Sequence, residues 1–239
     1  MTVTFLAHSG FLVELPSVLL MFDWQSGSLP PLPNGKPLLV FASHRHEDHF
    51  NPQIFALDDS CRTVRFLLGK DIRLSPRHRE RWALSDETAA HCLCLGGNET
   101  ADPLPGIRVE TLPSTDEGVA FVVTADGKAL YHAGDLNWWH WEGEDKGWNR
   151  NMEVDFKRFI EPLRSRRLDL AMVPLDPRQE AAADWGLLYI LTLADLRHVL
   201  PMHQWEDFGL TARFLSGHPE YAGQVEVITG PGQRFAFPD

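Results

Sequence analysis

Residues 43–50, SHRHEDHF, place three histidines, an aspartate and a glutamate within eight positions. They follow KPLLVFA, an apolar run with the character of a buried strand. Titratable groups are costly to bury without partners, so gathering them at a strand end points to a metal, a proton-transfer site or a solvated turn. Alternate side chains of an extended segment share one side. That puts His44 and His46 together, where two imidazoles can grip one cation at ~2.0–2.1 Å. A turn beyond them lets Asp48 and His49 face a second point, and two-metal hydrolytic sites hold their ions ~3.5–4 Å apart. A His-rich surface turn is the bland alternative. The length of the motif and its strand-then-turn setting favour metal.

Two distant segments offer further donors: YHAGD ends at Asp135 and VLPMH ends at His203, each closing an apolar strand. A Gly-Asp pair by itself is commonly a turn, and a His after a strand commonly packs. Beside the 44–49 motif both become candidate ligands.

Strands must position these groups, and the chain supplies them. VTFLAHSG, FLVEL and SVLLMFDW read as a meander divided by Gly10 and Pro16. NPQIFAL reads as a short helix capped by Asn51 with Pro52 at its first position, and TVRFLLG as a strand. The stretch 71–103 has no clear period; RLSPRHRERW within it suits a short surface helix. IRVETL, GVAFVVT and KALYHAGD alternate as strands do, with Asp126-Gly127 as a hairpin turn. Met152, Phe156, Phe159 and Ile160 have helical spacing. LDLAMVPLD and RHVLPMH read as strands around a buried helix in ADWGLLYILTLADL, and QVEVIT with RFAF as a closing pair. Strand-rich blocks with interleaved helices imply packed sheets covered by helices. The 239 residues are read as one domain, 1–239.

Composition narrows the partners. Hydrophobic residues make up 44%, enough for a large core and against disorder. A net charge of −11 disfavours nucleic acid and leaves a small-molecule substrate as the expected partner. Three cysteines without CxxC spacing suit reduced thiols, the start lacks a basic n-region, and no apolar run reaches the ~20 residues of a membrane helix. The expected location is cytoplasmic, with no membrane association. Oligomeric state is not encoded in any of these features.

His44, His46, Asp48, His49, Asp135 and His203, each at a strand end, resemble the metallo-β-lactamase superfamily of metal-dependent hydrolases. AHSGFLVE, YHAGD and VLPMH look like its branch containing ascorbate-phosphate lactonase. The likeness runs from FLAHSGFLVEL to VLPMHQW, nearly the whole chain. It implies an α/β fold, an αββα four-layer sandwich of two β-sheets flanked by helices, with two divalent metal ions at the open edge. It further implies His44 and His46 on the first metal, Asp48, His49 and His203 on the second, and Asp135 bridging. Zn2+ is the expected ion, with Mn2+ or Fe2+ as other occupants.

One part departs from the pattern. Where the superfamily carries another first-site histidine, this chain has VETLPSTDEGVAF, with Pro113, Ser114 and Thr115. Asp116 is a candidate replacement, with Glu117 beside it. An oxygen donor would make that position harder and friendlier to manganese or iron. Capping the turn before Gly118 is the competing role for Asp116, and a single occupied site is the alternative to two ions.

A metal lowers the pKa of its water toward ~7, so hydroxide forms at neutral pH. Asp48 is the expected catalytic residue, orienting that nucleophile or taking its proton. The sequence LNWWHWEGED adds Trp138 as a candidate substrate wall, and PLDPRQ adds Arg178 as a partner for an anionic substrate group or a structural ion pair. His8 and His132 are expected to hydrogen-bond to ligands rather than to ligate. The leading expectation is hydrolysis of a small-molecule ester, lactone or phosphate ester. The alternatives are RNA or DNA phosphodiester cleavage, di-iron redox chemistry, and a non-catalytic metal-binding protein with an incomplete first site.

Overall fold

A computed structural model of the protein describes residues 1–58 and 61–238. Fifteen strands are described: β1 Thr2–Ala7, β2 Gly10–Glu14, β3 Leu19–Phe22, β4 Leu38–Ala42, β5 Val64–Gly69, β6 Cys92–Leu95, β7 Thr100–Leu104, β8 Ile107–Pro113, β9 Val119–Ala125, β10 Lys128–His132, β11 Arg167–Leu168, β12 Leu170–Pro174, β13 Asp195–Leu196, β14 Val199–Met202 and β15 Arg234–Ala236. The α-helices are α1 Pro76–Arg81, α2 Asp86–Ala90, α3 Lys146–Ile160, α4 Trp185–Leu193 and α5 Leu210–Gly217. Seven strands form one sheet, in the order β15-β1-β2-β3-β4-β5-β6. Six form the other, in the order β14-β12-β10-β9-β8-β7. The β3-β4-β5-β6 and β10-β12-β14 runs are parallel, and the remaining neighbours in these two sheets are antiparallel.

Period-two alternation decides what each sheet face meets. In β3, Leu20 and Phe22 join the core shared with the second sheet, while Leu19 and Met21 join a separate cluster on the outer face. Leu39 and Phe41 of β4 point inward and Leu38, Val40 and Ala42 outward. The outer cluster is closed by Ile54 and Phe55, from a 3-10 segment at Pro52–Leu57, and by Leu84. Strands covered on both faces read as unbroken apolar runs, which is why β3 and β4 show no polar alternation. The second sheet is covered by Phe156 and Ile160 of α3 and by Leu187 and Ile190 of α4. This is the αββα layering expected from the resemblance.

Phenylalanines join the sheets beneath the 44–49 loop. Phe22 and Phe41 stack with centroids 4.6 Å apart, Phe121 meets Phe41 edge-on at 5.1 Å, and His132 lies parallel to Phe22 at 5.1 Å. Aromatic pairs of this kind contribute ~0.5–1.5 kcal/mol beyond their buried area, so the floor of the strand-end region is rigid.

The meander, the Asn51 cap and the Asp126-Gly127 hairpin match the sequence reading. Asn51 Oδ1 accepts from Gln53 N, and both turn residues have positive φ, 50° and 71°. Two readings differ. The unperiodic stretch holds α1, α2, β6 and part of β7, the last two lying at sheet edges. QVEVIT is not a strand: Val225 makes only isolated bridges, to Val199 and Ala222, alongside the β14 edge. No helix among the described residues is long and apolar enough to cross a membrane.

Candidate metal centre and its pocket

Six strands, β1, β3, β4, β10, β12 and β14, present chemistry-bearing residues just beyond their carboxyl ends: His8, Asp23, the 43–49 loop, Asp135, Asp176 and His203. In α/β sheets the carboxyl ends of parallel strands are where ligands bind.

Asp23, fully buried, organises the loop. Its carboxylate accepts from Ser43 N at 2.7 Å, Ser43 Oγ at 2.6 Å and His49 Nδ1 at 2.7 Å. Ser43 Oγ in turn accepts from His44 Nδ1 at 2.9 Å. With both Nδ1 atoms engaged in this way, the Nε2 atoms of His44 and His49 are left to face the cluster. A carboxylate behind a histidine fixes tautomer and ring in this way in metal sites. The imidazoles of His44 and His46 face one point, with His44 Nε2 3.0 Å from His46 Nδ1.

The remote residues close on this loop. Asp135 Oδ1 lies 3.1 Å from His49 Nε2 and 3.5 Å from His203 Nε2, while Oδ2 lies 3.5 Å from His44 Nε2. One carboxylate thus faces both halves of the cluster. His203 Nδ1 donates to Asp176 at 2.8 Å, repeating the Asp23–His49 arrangement. Asp48 Oδ2 stands 3.7 Å from His203 Nε2, 4.0 Å from His49 Nε2 and 3.4 Å from His8 Nε2. His8 therefore sits inside the cluster, where the sequence placed it outside. His132 remains outside, donating from Nε2 to Ser9 O and accepting at Nδ1 from Gly134 N.

The electrostatics suit cations. Burial pushes the Asp135 carboxyl up, but His49 and His203 outweigh it and hold its pKa well below the usual carboxylate range. Burial likewise opposes charge on His49, yet Asp135 and Asp23 raise its pKa well above the usual imidazole value. His44 is pushed down to about 4 by burial and then by His49, which leaves it neutral and able to donate a lone pair. Asp23, Asp48 and Asp176 are also held below their ordinary value against burial, by His132, His8 and His203 foremost. Four anionic carboxylates thus surround a knot of imidazoles. Within it His8 Nε2, His49 Nε2, His203 Nε2 and Asp135 Oδ1 are buried without hydrogen-bond partners. Buried polar atoms left unpaired cost ~1–3 kcal/mol each, and a divalent cation would satisfy all four. Among the described residues, four donor groups have spacing that could hold an ion: His8/Asp48/His49/His203, His44/His46/Asp48, His44/His49/Asp135 and His46/Asp116/Asp135.

Asp116 approaches His46 Nδ1 to 3.9 Å across an exposed edge, and its pKa is raised by burial and then by Asp135. Glu117 pairs with Arg45 and also brings Oε2 to 3.6 Å from His46 Nε2. Thr115 Oγ1, in the 113–115 stretch where a histidine was expected, donates to Asn137 O and braces the Asp135 loop.

A cavity of about 300 Å³ opens over the cluster, lined by His46, Asp48, Thr115, Asp116, Asp135, Trp139, Trp141, Trp148, Arg178 and His203. Trp138 is not part of its wall. It packs against Phe156, Trp185 and Tyr189 of α3 and α4, because the chain alternates here and sends Trp139 toward the site instead. Trp139 Nε1 donates to Asp135 O, and its ring lies parallel to Trp141 with centroids 5.8 Å apart. Arg178 makes the structural ion pair read as one of its two roles. Its Nε and Nη2 donate to Asp176, it lies against Trp205 and Trp141, and it reaches the cavity wall. Asp23, Asp176, Trp139 and Trp141 carry functions that the sequence reading did not assign. A single aspartate after a strand has no spacing signature, although both stand at strand ends as the ligands do.

Fold and strand-end site agree on one class: the two-sheet sandwich with its donors at the strand ends has the architecture of metallo-β-lactamase-fold metal-dependent hydrolases. No family model matches the chain. It is 32% identical over 164 residues to a "UPF0173 metal-dependent hydrolase" of Opitutus terrae, an alignment that spans 56% of this chain and 63% of the relative. It is 26% identical to a protein of the same description from Pelotomaculum thermopropionicum, over 98% of both chains. In three dimensions it is similar to Igni18, described as a metallo hydrolase of the archaeon Ignicoccus hospitalis, with a TM-score of 0.56, 20% identity and 99% coverage of each chain.

Proposed function

We propose that the protein hydrolyses a small-molecule ester, lactone or phosphate ester at a centre of two divalent cations, Zn2+ in the first instance, inside the cell. One observation supports this above the rest: unpartnered buried donors from four separate strand ends converge on one volume. His44, His46 and Asp116 would hold one ion, His49, His203 and Asp48 the other, and Asp135 would serve both. When bound, such ions supply Lewis acidity and a water of lowered pKa.

The chain's own groups do the rest. Asp23 and Asp176 keep the imidazoles oriented through their Nδ1 bonds. Asp48, held well below the usual carboxylate range, is a weak base at neutral pH. Of the two roles expected for it, the low pKa suits orientation of the nucleophile over proton uptake. Trp139, Trp141 and Trp148 make an apolar wall that excludes water from one side of the substrate. The Arg178 guanidinium has Nη1 without a hydrogen-bond partner among the described residues, and can receive an acid group. The preferred substrate thus has a flat apolar face and an anionic substituent. A cavity of about 300 Å³ admits such a molecule.

The test is a screen of phosphoesters and lactones with metal-reconstituted protein. Turnover should vanish with a chelator and return with added Zn2+; turnover that survives chelation would refute the reading. Arg178→Gln should raise KM for acid-bearing substrates ~10-fold or more, as loss of a charged hydrogen bond of about 1.5–3 kcal/mol implies. KM for neutral esters should change little, and an equal change in both would remove Arg178 from substrate recognition.

A further inference from the structure

His8 lies in none of the segments that carry the metal motif, yet its ring is built into the cluster. It follows β1 directly and has a left-handed backbone, φ 48°, unusual for a residue other than glycine. Such a conformation persists where surrounding contacts hold it, and those contacts are present. His8 O accepts from His203 N at 3.2 Å, tying the β1 tip to the β14 tip across the two sheets. Its ring is bracketed by His203 at 4.1 Å, Trp205 at 4.8 Å and His49 at 5.6 Å between centroids. Held this way, Nε2 comes 3.4 Å from Asp48 Oδ2 without hydrogen-bond alignment, and it is buried with no partner. Nε2 of His8, Nε2 of His49, Nε2 of His203 and a carboxylate oxygen of Asp48 lie together within the spacing of one ion's donors.

Resting on the two-cation reading of the site, we propose that His8 is a further protein ligand of the second cation, beside His49, His203, Asp48 and the shared Asp135, and that the second position therefore fills before the first. The absence of a histidine in the 113–115 stretch is then matched by an additional imidazole across the cluster. The second position has three imidazoles with Asp48, and the first has two imidazoles with the exposed Asp116. Nitrogen-rich sets favour zinc, and oxygen-richer sets are more permissive to manganese. The two positions thus differ in affinity and in the ion they prefer: one equivalent of Zn2+ binds tightly at His8/Asp48/His49/His203, and a second ion binds more weakly at His44/His46/Asp116.

Zinc K-edge absorption on the full chain loaded with one equivalent of Zn2+, together with chelator competition, separates the outcomes. Wild type should show three imidazoles on that first ion. His46→Ala should leave its affinity and imidazole count unchanged while abolishing the second equivalent. His8→Ala should show two imidazoles and lose more than about 10²-fold in first-equivalent affinity, beyond the ~10–100-fold that follows loss of an outer hydrogen-bond partner. His8→Asn, whose side chain tolerates the left-handed backbone, should behave as His8→Ala does, and thermal melting of the metal-free variants checks that both fold. Three imidazoles and unchanged affinity in either folded variant would overturn the proposal and leave the two-cation site standing. A wild-type chain that binds no Zn2+, or a His49→Ala protein that binds it as wild type does, would overturn the underlying reading instead.

Discussion

Asp135→Ala is expected to lose about 10³-fold or more in kcat/KM and to hold at most one of two metal equivalents. The side chain is 5% exposed, and its two oxygens face different halves of the cluster, toward His49 and His203 on one side and His44 on the other. Removing it leaves the imidazoles in place but deletes the one carboxylate that the proposed pair of ions would share. Metal stabilisation of developing charge amounts to several kcal/mol, and ~4 kcal/mol corresponds to about 10³ in rate. Asp135→Asn keeps the shape and one acceptor oxygen, so it should retain the fold and still lose most of the activity. Steady-state kinetics with elemental analysis on both variants checks this. Full metal content with wild-type kcat/KM in Asp135→Ala would show that the site is elsewhere.

Gly118→Ala should destabilise the protein by about 2–5 kcal/mol, combining ~1–2 kcal/mol for a left-handed alanine with ~1–3 kcal/mol for steric overlap. Gly118 has φ +69°, and a Cβ there would meet Ser43 O at 2.0 Å and His44 Cβ at 2.5 Å. Those atoms cannot retreat, because Ser43 O accepts from Val119 N and Ser43 itself is held by Asp23. The melting temperature should fall by on the order of 10 °C for a chain of this size, and metal affinity should fall with it as His44 is displaced. Gly127→Ala is the control: φ is +71° and nothing lies within 4 Å of the added Cβ, so only the backbone contribution remains. Equal melting temperatures for the two variants would show that the 43–49 loop is not fixed from the Gly118 side.

What the sequence made legible was whatever has a local pattern. HxHxDH is compact, and β3, β4 and β12 are apolar runs because both faces of their sheets are covered. The hairpin turn at Asp126-Gly127 needs positive φ twice, and its composition says so. Features that depend on three-dimensional closure left no such trace. Asp23 and Asp176 act through histidines 26 and 27 positions away. His8 reaches the cluster because β1 and β14 end side by side in facing sheets. Trp138 and Trp139 are adjacent in sequence, and which of them faces the cavity depends on the phase of an irregular segment. Edge strands β6 and β7 carry a weak pattern, one with exposed Leu93 and Cys94 and the other with Pro103, since an edge needs little burial. Asp116 is a candidate only because a histidine is missing from the stretch before it. The same absence does not point to Thr115 as the residue bracing the Asp135 loop.

The most direct measurement is anomalous diffraction at the zinc edge from crystals of the full chain grown with Zn2+. Two peaks about 3.5–4 Å apart are expected, one within bonding distance of His49, His203 and Asp48 and the other beside His44 and His46, with Asp135 between them. Zinc bound only at surface carboxylates, with the imidazoles of residues 44–49 and 203 left uncoordinated, would contradict the metal centre and the hydrolytic function built on it.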